Sequence, residues 1–279
     1  MLLSGSVGFT LLFNKDLNKA ILLLADVHDG VSYCKRDSVM IDKWLSSKTM
    51  SNDILLEEAV REELSLTDLW PGAEHTQRLK SLNKTNQKIK PIDIRPLLIP
   101  YSWELLNKID NVEQKNMLLN KYLQNIDNFY NFKKTKLMMK YIVPEVKQLH
   151  QNATDNIKKL LLLHFEEMKD YYKDYRNNNK EYLEKSIFEV FDKDKDVLED
   201  INNINTMIME WYILLLILNS KTNSILHLGL AHSNRLLDFL KEIYKFEEIK
   251  KSGVNEIAEV TAYPEACLLV PDEINKSFV

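Results

Sequence analysis

The sequence predicts an α/β protein with a mostly parallel central sheet flanked by helices and a long all-helical insertion before the last parallel strand. Two observations predict this class. Short apolar runs alternate with polar helical stretches before residue 110, and the same rhythm returns after residue 221. Between these regions the chain has few Gly or Pro residues and carries Leu, Met and Tyr at helical spacings. We therefore expect the α/β core in residues 1–110 plus 222–279, and a helical insertion, acting as a lid or cap, in residues 111–221.

The elements of the core follow from local patterns. Residues 7–13 are expected to pair antiparallel with a strand at 20–27, across the polar turn at 14–18. Further strands are predicted at 53–56, 89–94, 224–230 and 266–270, and helices at 38–47, 75–82 and 234–244. The apolar runs lack strict alternation, which is typical of strands covered on both faces in a parallel sheet.

The insertion contains three further predicted helices. Thr154 is a suitable N-cap for a long amphipathic helix, and the Asn run at 177–179 is expected to end it. The other two helices are predicted near 181–191 and 205–218. The most apolar stretch, 207–218, contains Glu210 and is much shorter than the roughly twenty apolar residues of a membrane-spanning helix. It therefore predicts a buried helix.

The composition excludes several classes of protein. The 279 residues are 45% hydrophobic and 28% charged, which is typical of a soluble globular protein and not of fibrous or disordered chains. With 37 Lys and Arg against 41 Asp and Glu, the net charge of −4 offers no excess positive field for nucleic acid or an anionic membrane. We expect a small-molecule or peptide substrate as partner, no nucleic acid and no stable membrane insertion. The oligomeric state stays open.

Two cysteines and the N-terminal run bear on the compartment. Cys34 and Cys267 could form one bridge but are too few for a disulfide framework, so free thiols in a reducing, cytoplasmic or otherwise intracellular compartment are expected. Cys34 follows His28 by six residues, and we interpret it as a spectator. The apolar N-terminal run lacks a basic leading segment, which favours a strand over a signal peptide.

The most informative feature is a set of ionisable residues where predicted strands end. Four strand ends carry Asp26 and His28, Glu57 and Glu58, Asp93 and Arg95, and finally His232. The carboxyl ends of strands in an open α/β sheet form the ligand crevice, so we expect these side chains to share one site. The other histidines, His75, His150, His164 and His227, are expected to have surface, core-edge or buried structural roles.

Two imidazoles with several carboxylates can bind a divalent metal, or can supply a general base and its orienting partner for activating water. Asp26 and His28 are two residues apart and point to the same side of a regular strand. We expect His28 to be a general base or metal ligand. Asp26 and Glu58 would orient it or join the metal, with Glu57 as the alternative if the strand register is off by one.

The remaining members of the predicted site have complementary roles. His232 is expected to complete the site, and Arg95 to bind anionic charge on the substrate. A metal ion, if the site uses one, would be Zn, Mn or Fe with Asp26, His28, Glu58 and His232 as its ligands.

These segments resemble the superfamily of erythromycin esterases, haem-binding iron-regulated lipoproteins, and Tiki and TraB peptidase-like proteins. Ala-Asp-Val-His at 25–28 is similar to that superfamily's Gly-Glu-x-His strand end, Leu-Leu-Glu-Glu at 55–58 to its second strand, and Gly-Leu-Ala-His at 229–232 to its Gly-x-Gly-His motif. Ala25 and Ala231 stand where glycine is usual, and Asp26 replaces glutamate. The order of the motifs and the helical insertion also agree.

The resemblance implies a hydrolase of ester or peptide and amide bonds. In it, His28 activates water with the help of Asp26 or Glu58, and His232 is the second imidazole. Use of a metal differs within the superfamily, and a non-catalytic ligand-binding descendant is one alternative.

Two further interpretations stay open. Asp26-Val27-His28 is similar to the first strand end of metallophosphoesterases, but the Gly-Asp and Gly-Asn-His motifs of that family are absent from the sequence. The chain could instead be an interaction protein whose helical region, 111–221, provides the functional surface. Replacing His28 and His232 should abolish turnover in a hydrolase and leave partner binding intact in an interaction protein.

Overall fold

The structure is a computed structural model that describes residues 1–60, 74–86, 88–99 and 112–278. These residues form two compact units. The first unit holds residues 1–60, 74–86, 88–93 and 220–278, and the second holds residues 94–99 and 112–219. The predicted fold class is confirmed, because strands and helices alternate in the first unit whereas the second is built from helices that precede the last parallel strand.

The strands of the described chain form two sheets. They are β1 (Leu2–Ser4), β2 (Gly8–Asn14), β3 (Lys19–Asp26), β4 (Ser32–Tyr33), β5 (Val39–Met40), β6 (Asn52–Ala59), β7 (Ile89–Asp93), β8 (Asn223–Gly229), β9 (Glu247–Gly253) and β10 (Glu265–Leu269). The larger sheet has the order β7-β6-β8-β3-β2-β9, and the smaller has the order β4-β10-β1-β5. Strands β7, β6, β8 and β3 run parallel, whereas β2 and β9 add antiparallel at one edge. The predicted antiparallel pairing of the first two long strands is therefore confirmed.

Numbered along the chain, the α-helices of the described residues are α1 (Ile41–Ser46), α2 (Glu74–Thr85), α3 (Arg95–Leu98), α4 (Val112–Lys115), α5 (Leu119–Tyr122), α6 (Gln124–Tyr130), α7 (Val143–Asn152), α8 (Asp155–Asn178), α9 (Ile187–Lys193), α10 (Lys195–Asn219), α11 (Leu230–Glu242) and α12 (Asp272–Ser277). Helices α1, α2, α11 and α12 belong to the first unit. Apolar side chains of the sheets and of α1, α2 and α12 form its main core, with Phe9, Leu24, Trp44, Ile225 and Phe278 among the buried members.

The strand register sets where the carboxyl ends of the parallel strands lie. In the pairing of β3 with β8, Asp26 is level with Gly229 and Leu24 is level with His227. In the pairing of β8 with β6, His227 is level with Leu56, so Glu57 follows one residue later at the same edge. Three neighbouring strands therefore end together, as the sequence predicts for a crevice at the carboxyl edge.

Two predicted helix boundaries were wrong. The helix expected at 38–47 begins only at Ile41, because Val39 and Met40 pair with β1 as strand β5. The helix expected at 234–244 begins at Leu230, directly after β8. His232 therefore lies in the first turn of α11 and not in a loop beyond the strand.

The expectation of free thiols was also wrong, because Cys34 and Cys267 form a disulfide. Strand β4 pairs in parallel with β10, and Tyr33 is level with Ala266. The residues that follow these two, Cys34 and Cys267, are therefore neighbours, with 4.8 Å between their Cα atoms. The two cysteines are 233 residues apart in sequence, and only the assembled smaller sheet brings them together. A disulfide is more typical of an oxidising setting than of the reducing one that we expected.

The second unit confirms the predicted helical insertion and its main helix. Thr154 caps α8 by accepting a hydrogen bond from the N–H of Ile157, and α8 ends in the Asn run as predicted. Helix α10 is longer than expected, and its segment Asp196–Asn219 is long and apolar enough, by length and composition, to cross a membrane. Because 83% of its most apolar window is buried, this helix also has the length, composition and burial of a core helix in a soluble protein.

Candidate functional site

Asp26 lies at the centre of a group of histidines in the first unit. It is the last residue of β3, and its side chain is buried. Oδ1 lies 2.5 Å from Nε2 of His75, and Oδ2 lies 2.9 Å from Nδ1 of His28. The carboxylate thus joins an inner group of residues, whose ionisable side chains Asp26, His75 and His227 are buried, to an outer group that reaches solvent.

The inner group consists of Asp26, His75, His227 and Tyr33. His75 lies in the first turn of α2, and its Nδ1 is 3.0 Å from the hydroxyl oxygen of Tyr33. The backbone N–H of His75 also donates to that oxygen at 3.0 Å. His227 lies on β8 and donates from Nε2 to the carbonyl oxygen of Gly5 at 3.1 Å, so a neutral His227 has its lone pair on Nδ1.

Gly5 makes room for this inner group. Its φ of +106° lies in the region that favours glycine. A Cβ atom at this position would lie 2.8 Å from Cβ of His75 and 2.7 Å from Cγ2 of Ile41, which is too close for either contact. The glycine therefore allows β1 and α2 to approach closely enough for His75 to reach Asp26.

Asp26, His75 and His227 could hold a metal ion. One ligand atom from each residue lies within 4.8 Å of the others, and all three side chains are buried. Two imidazoles and one carboxylate are a frequent ligand set for divalent transition metals. The contacts of Tyr33 with His75 and of Gly5 with His227 match the outer hydrogen bonds that usually orient metal-binding histidines. The donor set therefore fits a metal.

The outer group consists of His28, Glu57, His232, Arg235 and the backbone of Gly229. Glu57 accepts a 2.6 Å hydrogen bond from the N–H of Gly229 on Oε2, and that oxygen lies 3.7 Å from Nε2 of His28. The other oxygen, Oε1, lies 3.3 Å from Nε2 of His232. Glu57 is almost fully buried, whereas 35% of the His28 side chain is exposed. His28, like the exposed Arg235, therefore meets solvent.

Arg235 determines which nitrogen of a neutral His232 carries the proton. Nη2 of Arg235 lies 3.2 Å from Nδ1 of His232, one helical turn away on α11. A guanidinium only donates, so Nδ1 is the acceptor and Nε2 carries the proton. His232 then donates from Nε2 to Glu57, and the contacts run from Arg235 through His232 to Glu57.

The two carboxylates favour a protonated His28. Burial raises the pKa of Asp26, but the electrostatic effect of nearby His227 and the hydrogen bonds with His28 and His75 outweigh it and hold that pKa well below its usual range. The pKa of Glu57 is likewise held well below its usual range, because His232 and His28 outweigh the effect of burial. Burial lowers the pKa of His28, but its hydrogen bond to Asp26 and the nearby carboxylate of Glu57 raise it well above its ordinary value.

Glu58, which the sequence placed in the site, has different surroundings. Burial raises its pKa from 4.5 to about 7, with the Lys80 ammonium opposing and the Asp93 carboxylate adding to the rise. The contacts with His28 and His232 described above come from its neighbour Glu57. Arg95 begins helix α3 and belongs to the second unit. The structure thus brings together Asp26, His28, Glu57 and His232.

Sequence reasoning missed three residues of the inner group, Tyr33, His75 and His227. A histidine inside the apolar strand that became β8 needs a buried hydrogen-bond partner, and that requirement was a usable signal for His227. His75 gave no such signal, because its neighbours in sequence are polar and its partners, Tyr33 and Asp26, are 42 and 49 residues away.

Comparisons with known proteins add no relative. The sequence matches no protein-family model, no curated protein and no solved structure.

Proposed function

We propose that this chain hydrolyses an ester or amide bond at the sheet edge where His28, Glu57 and His232 meet. The observation that carries the proposal is the position of His28. Its Nδ1 is held by the buried carboxylate of Asp26 at 2.9 Å, while part of the ring is open to solvent. An imidazole oriented in this way by a buried carboxylate is the usual acid–base group of hydrolytic sites.

In this proposal His28 acts first as a general acid. Asp26 and Glu57 keep the imidazole protonated at neutral pH, so it can donate a proton to the leaving group. Water attacks the carbonyl carbon as the bond to the leaving group breaks, and the neutral imidazole accepts the proton that this water releases, which returns His28 to its resting state. This assignment differs from the general base expected from the sequence, because Asp26 and Glu57 together raise the pKa of His28 and favour its protonated form.

The other residues of the outer group hold His28 and Glu57 in place. Glu57 stays ionised because it accepts hydrogen bonds from Gly229 and His232, and its charge stabilises the protonated His28. Asp26 fixes the ring orientation through Nδ1. Arg235 keeps His232 in the tautomer that donates to Glu57.

The proposal includes a divalent ion, Zn, Mn or Fe, held by Asp26, His75 and His227. When bound, such an ion supplies a Lewis acid and can lower the pKa of a coordinated water towards neutrality. Asp26 would be shared, since one of its oxygens lies beside His75 and the other beside His28. The resemblance of segments 25–28 and 229–232 to the erythromycin esterase and Tiki-like superfamily supports the same reaction class.

Turnover of chromogenic esters and peptide anilides by the purified protein, with and without added Zn, Mn or Fe(II), tests the proposal. We expect His28→Gln to lower kcat/KM by about 100-fold or more, which is the usual contribution of an acid–base group. His150→Gln, which changes an exposed histidine of the second unit, is the matched control and should leave turnover unchanged.

Two results would contradict the proposal. One is turnover that His28→Gln retains in full. The other is a wild-type protein, loaded with each metal, that turns over neither class of substrate, and this second result would favour a binding protein on the same fold.

A further inference from the structure

We propose that the Cys34–Cys267 disulfide is a redox control on the metal-binding group of Asp26, His75 and His227. When the bond is formed, it holds Tyr33 against His75, and when it is reduced, that contact loosens and the group binds metal more weakly. The inference rests on the metal-binding part of the proposed function and adds how this group is regulated.

The disulfide is the covalent link that holds a short edge strand in place. Strand β4 has two residues and lies at the end of its sheet, where it pairs with β10. Cys34 directly follows β4, and its partner Cys267 lies within β10. Both cysteines are partly exposed, so a reductant in solution can reach the bond. Without the bond, the short pairing of β4 with β10, a 3.3 Å hydrogen bond from the N–H of Cys34 to Oγ of Ser4 and the packing of Val31 and Tyr33 on a small apolar cluster would have to hold this edge.

Tyr33 connects the disulfide to the metal-binding group. It is the residue before Cys34, and its hydroxyl oxygen lies 3.0 Å from both the backbone nitrogen and Nδ1 of His75. The two rings also pack edge to face, with centroids 5.8 Å apart. The side chain of Tyr33 therefore links the disulfide to His75, and Nε2 of His75 contacts Asp26.

The hydroxyl of Tyr33 is the kind of contact on which metal affinity depends. A hydrogen-bond partner on the outer ring nitrogen fixes the tautomer and the orientation of a metal-binding imidazole. Loss of such a partner typically lowers metal affinity by about 10–100-fold. Because the disulfide holds Tyr33 in position, its reduction can change the metal affinity by the same factor.

The switching reaction is ordinary thiol–disulfide exchange with a dithiol reductant. One thiolate of the dithiol attacks a sulfur of the Cys34–Cys267 bond, and its second thiolate then releases the protein from the mixed disulfide. The protein gains two electrons and two protons and ends with two thiols, while the dithiol becomes a disulfide. Segment 28–37 is largely exposed, so the opening that follows can stay local.

Zn²⁺ affinity, measured by calorimetry, tests the inference on the oxidised wild type and on the Cys34→Ser/Cys267→Ser variant. The serine variant needs no reductant that would compete for the metal. We expect it to bind Zn²⁺ about 10–100-fold more weakly than the oxidised protein. Tyr33→Phe should show a loss of similar size, and adding the two serine changes to Tyr33→Phe should cost little more, because both act through the same contact.

Amide hydrogen exchange without metal separates local loosening from general destabilisation. In the serine variant we expect the backbone N–H of His75 to exchange at least about tenfold faster, while that of Ile225 in the central strand β8 is unchanged. If the serine variant does not fold, the folded wild type can be reduced with a phosphine, which takes up oxygen from water as the disulfide becomes two thiols. The same two measurements then apply.

Each outcome has a distinct meaning. Equal Zn²⁺ affinity in the oxidised and serine forms overturns the redox control and leaves the metal site standing. No binding of Zn²⁺, Mn²⁺ or Fe²⁺ in either form overturns the metal part of the proposed function, and the redox control with it.

Discussion

The backbone N–H of Gly229 donates a 2.6 Å hydrogen bond to Oε2 of Glu57. This contact joins the end of β8 to the end of the neighbouring strand β6, and it places the carboxylate at the N-terminus of α11. The N-terminal end of a helix favours negative charge, which adds to the reasons why Glu57 stays ionised. The same contact brings Glu57 within 3.7 Å of Nε2 of His28.

Gly229→Ala should disturb this arrangement without removing any ionisable group. The new Cβ would lie 2.9 Å from Nε2 of His28 and 3.2 Å from Oε2 of Glu57, so both side chains have to shift. The φ of −54° and ψ of 143° suit alanine, and the partly exposed His28 can move, so the fold should persist. We expect turnover to fall by about 100-fold, as small misplacements of acid–base groups do. Circular dichroism and thermal unfolding provide the control, and full activity in a folded variant would contradict the assignment.

The metal content of two double variants distinguishes the inner ligand set from the one expected from the sequence. His75→Gln/His227→Gln should lose Zn, Mn or Fe after dialysis, because both imidazoles of the inner group are gone. His28→Gln/His232→Gln should retain the metal, and so should His150→Gln. Elemental analysis of protein without a histidine tag, combined with a check of fold, makes the measurement. The reverse pattern would mean that the outer group holds the ion.

Glu58→Gln should change how stability depends on pH. Glu58 has a folded-state pKa of about 7 against 4.5 in the unfolded chain, so the folded protein binds the extra proton between these values. Its contribution to stability is present below pH 4.5 and is lost as the pH rises through 7, by on the order of 3 kcal/mol. Urea unfolding should therefore show that the wild type loses this part of its stability between pH 5 and pH 8 and that the variant does not. Glu166→Gln, at an exposed position of α8, should behave like the wild type.

Glu57→Gln should lower the pKa of His28. The pKa of His28 is raised because the hydrogen bond with Asp26 and the charges of Asp26 and Glu57 outweigh the opposing effect of burial, and the variant removes one of these charges. We expect the ring pKa, followed by NMR titration, to drop. The alkaline limb of kcat/KM should move to lower pH with it, because the proposed acid loses its proton earlier. An unchanged ring pKa would mean that Glu57 does not act on His28.

Much of the fold was predictable because it follows from local patterns. The apolar runs at 20–27, 53–56, 89–94 and 224–230 became β3, β6, β7 and β8, and their parallel pairing followed from burial on both faces. Strand β9 was missed because its residues are mostly charged and polar. It forms at the edge of the sheet beside β2, where one side of the strand stays open to solvent and charged side chains are common.

Most of the outer group could be predicted from the sequence for a related reason. His28 and Asp26 lie on one strand, and the carboxyl ends of parallel neighbours meet at the same edge. The choice between Glu57 and Glu58 was not accessible, since β6 has an irregular register against β7 between Leu56 and Ala59. A one-residue change reverses the face to which a strand side chain points.

The sequence by itself determined the α/β class, the helical insertion and the edge at which Asp26, His28 and His232 would lie, because these depend on periodicity and on the direction of parallel strands. Only the tertiary structure decided that His75 reaches Asp26, that Tyr33 supports it, and that Cys34 pairs with Cys267. These contacts join segments between 42 and 233 residues apart. They form only when α2 and the smaller sheet pack on the core, since neither residue type nor local spacing encodes which distant surfaces will meet.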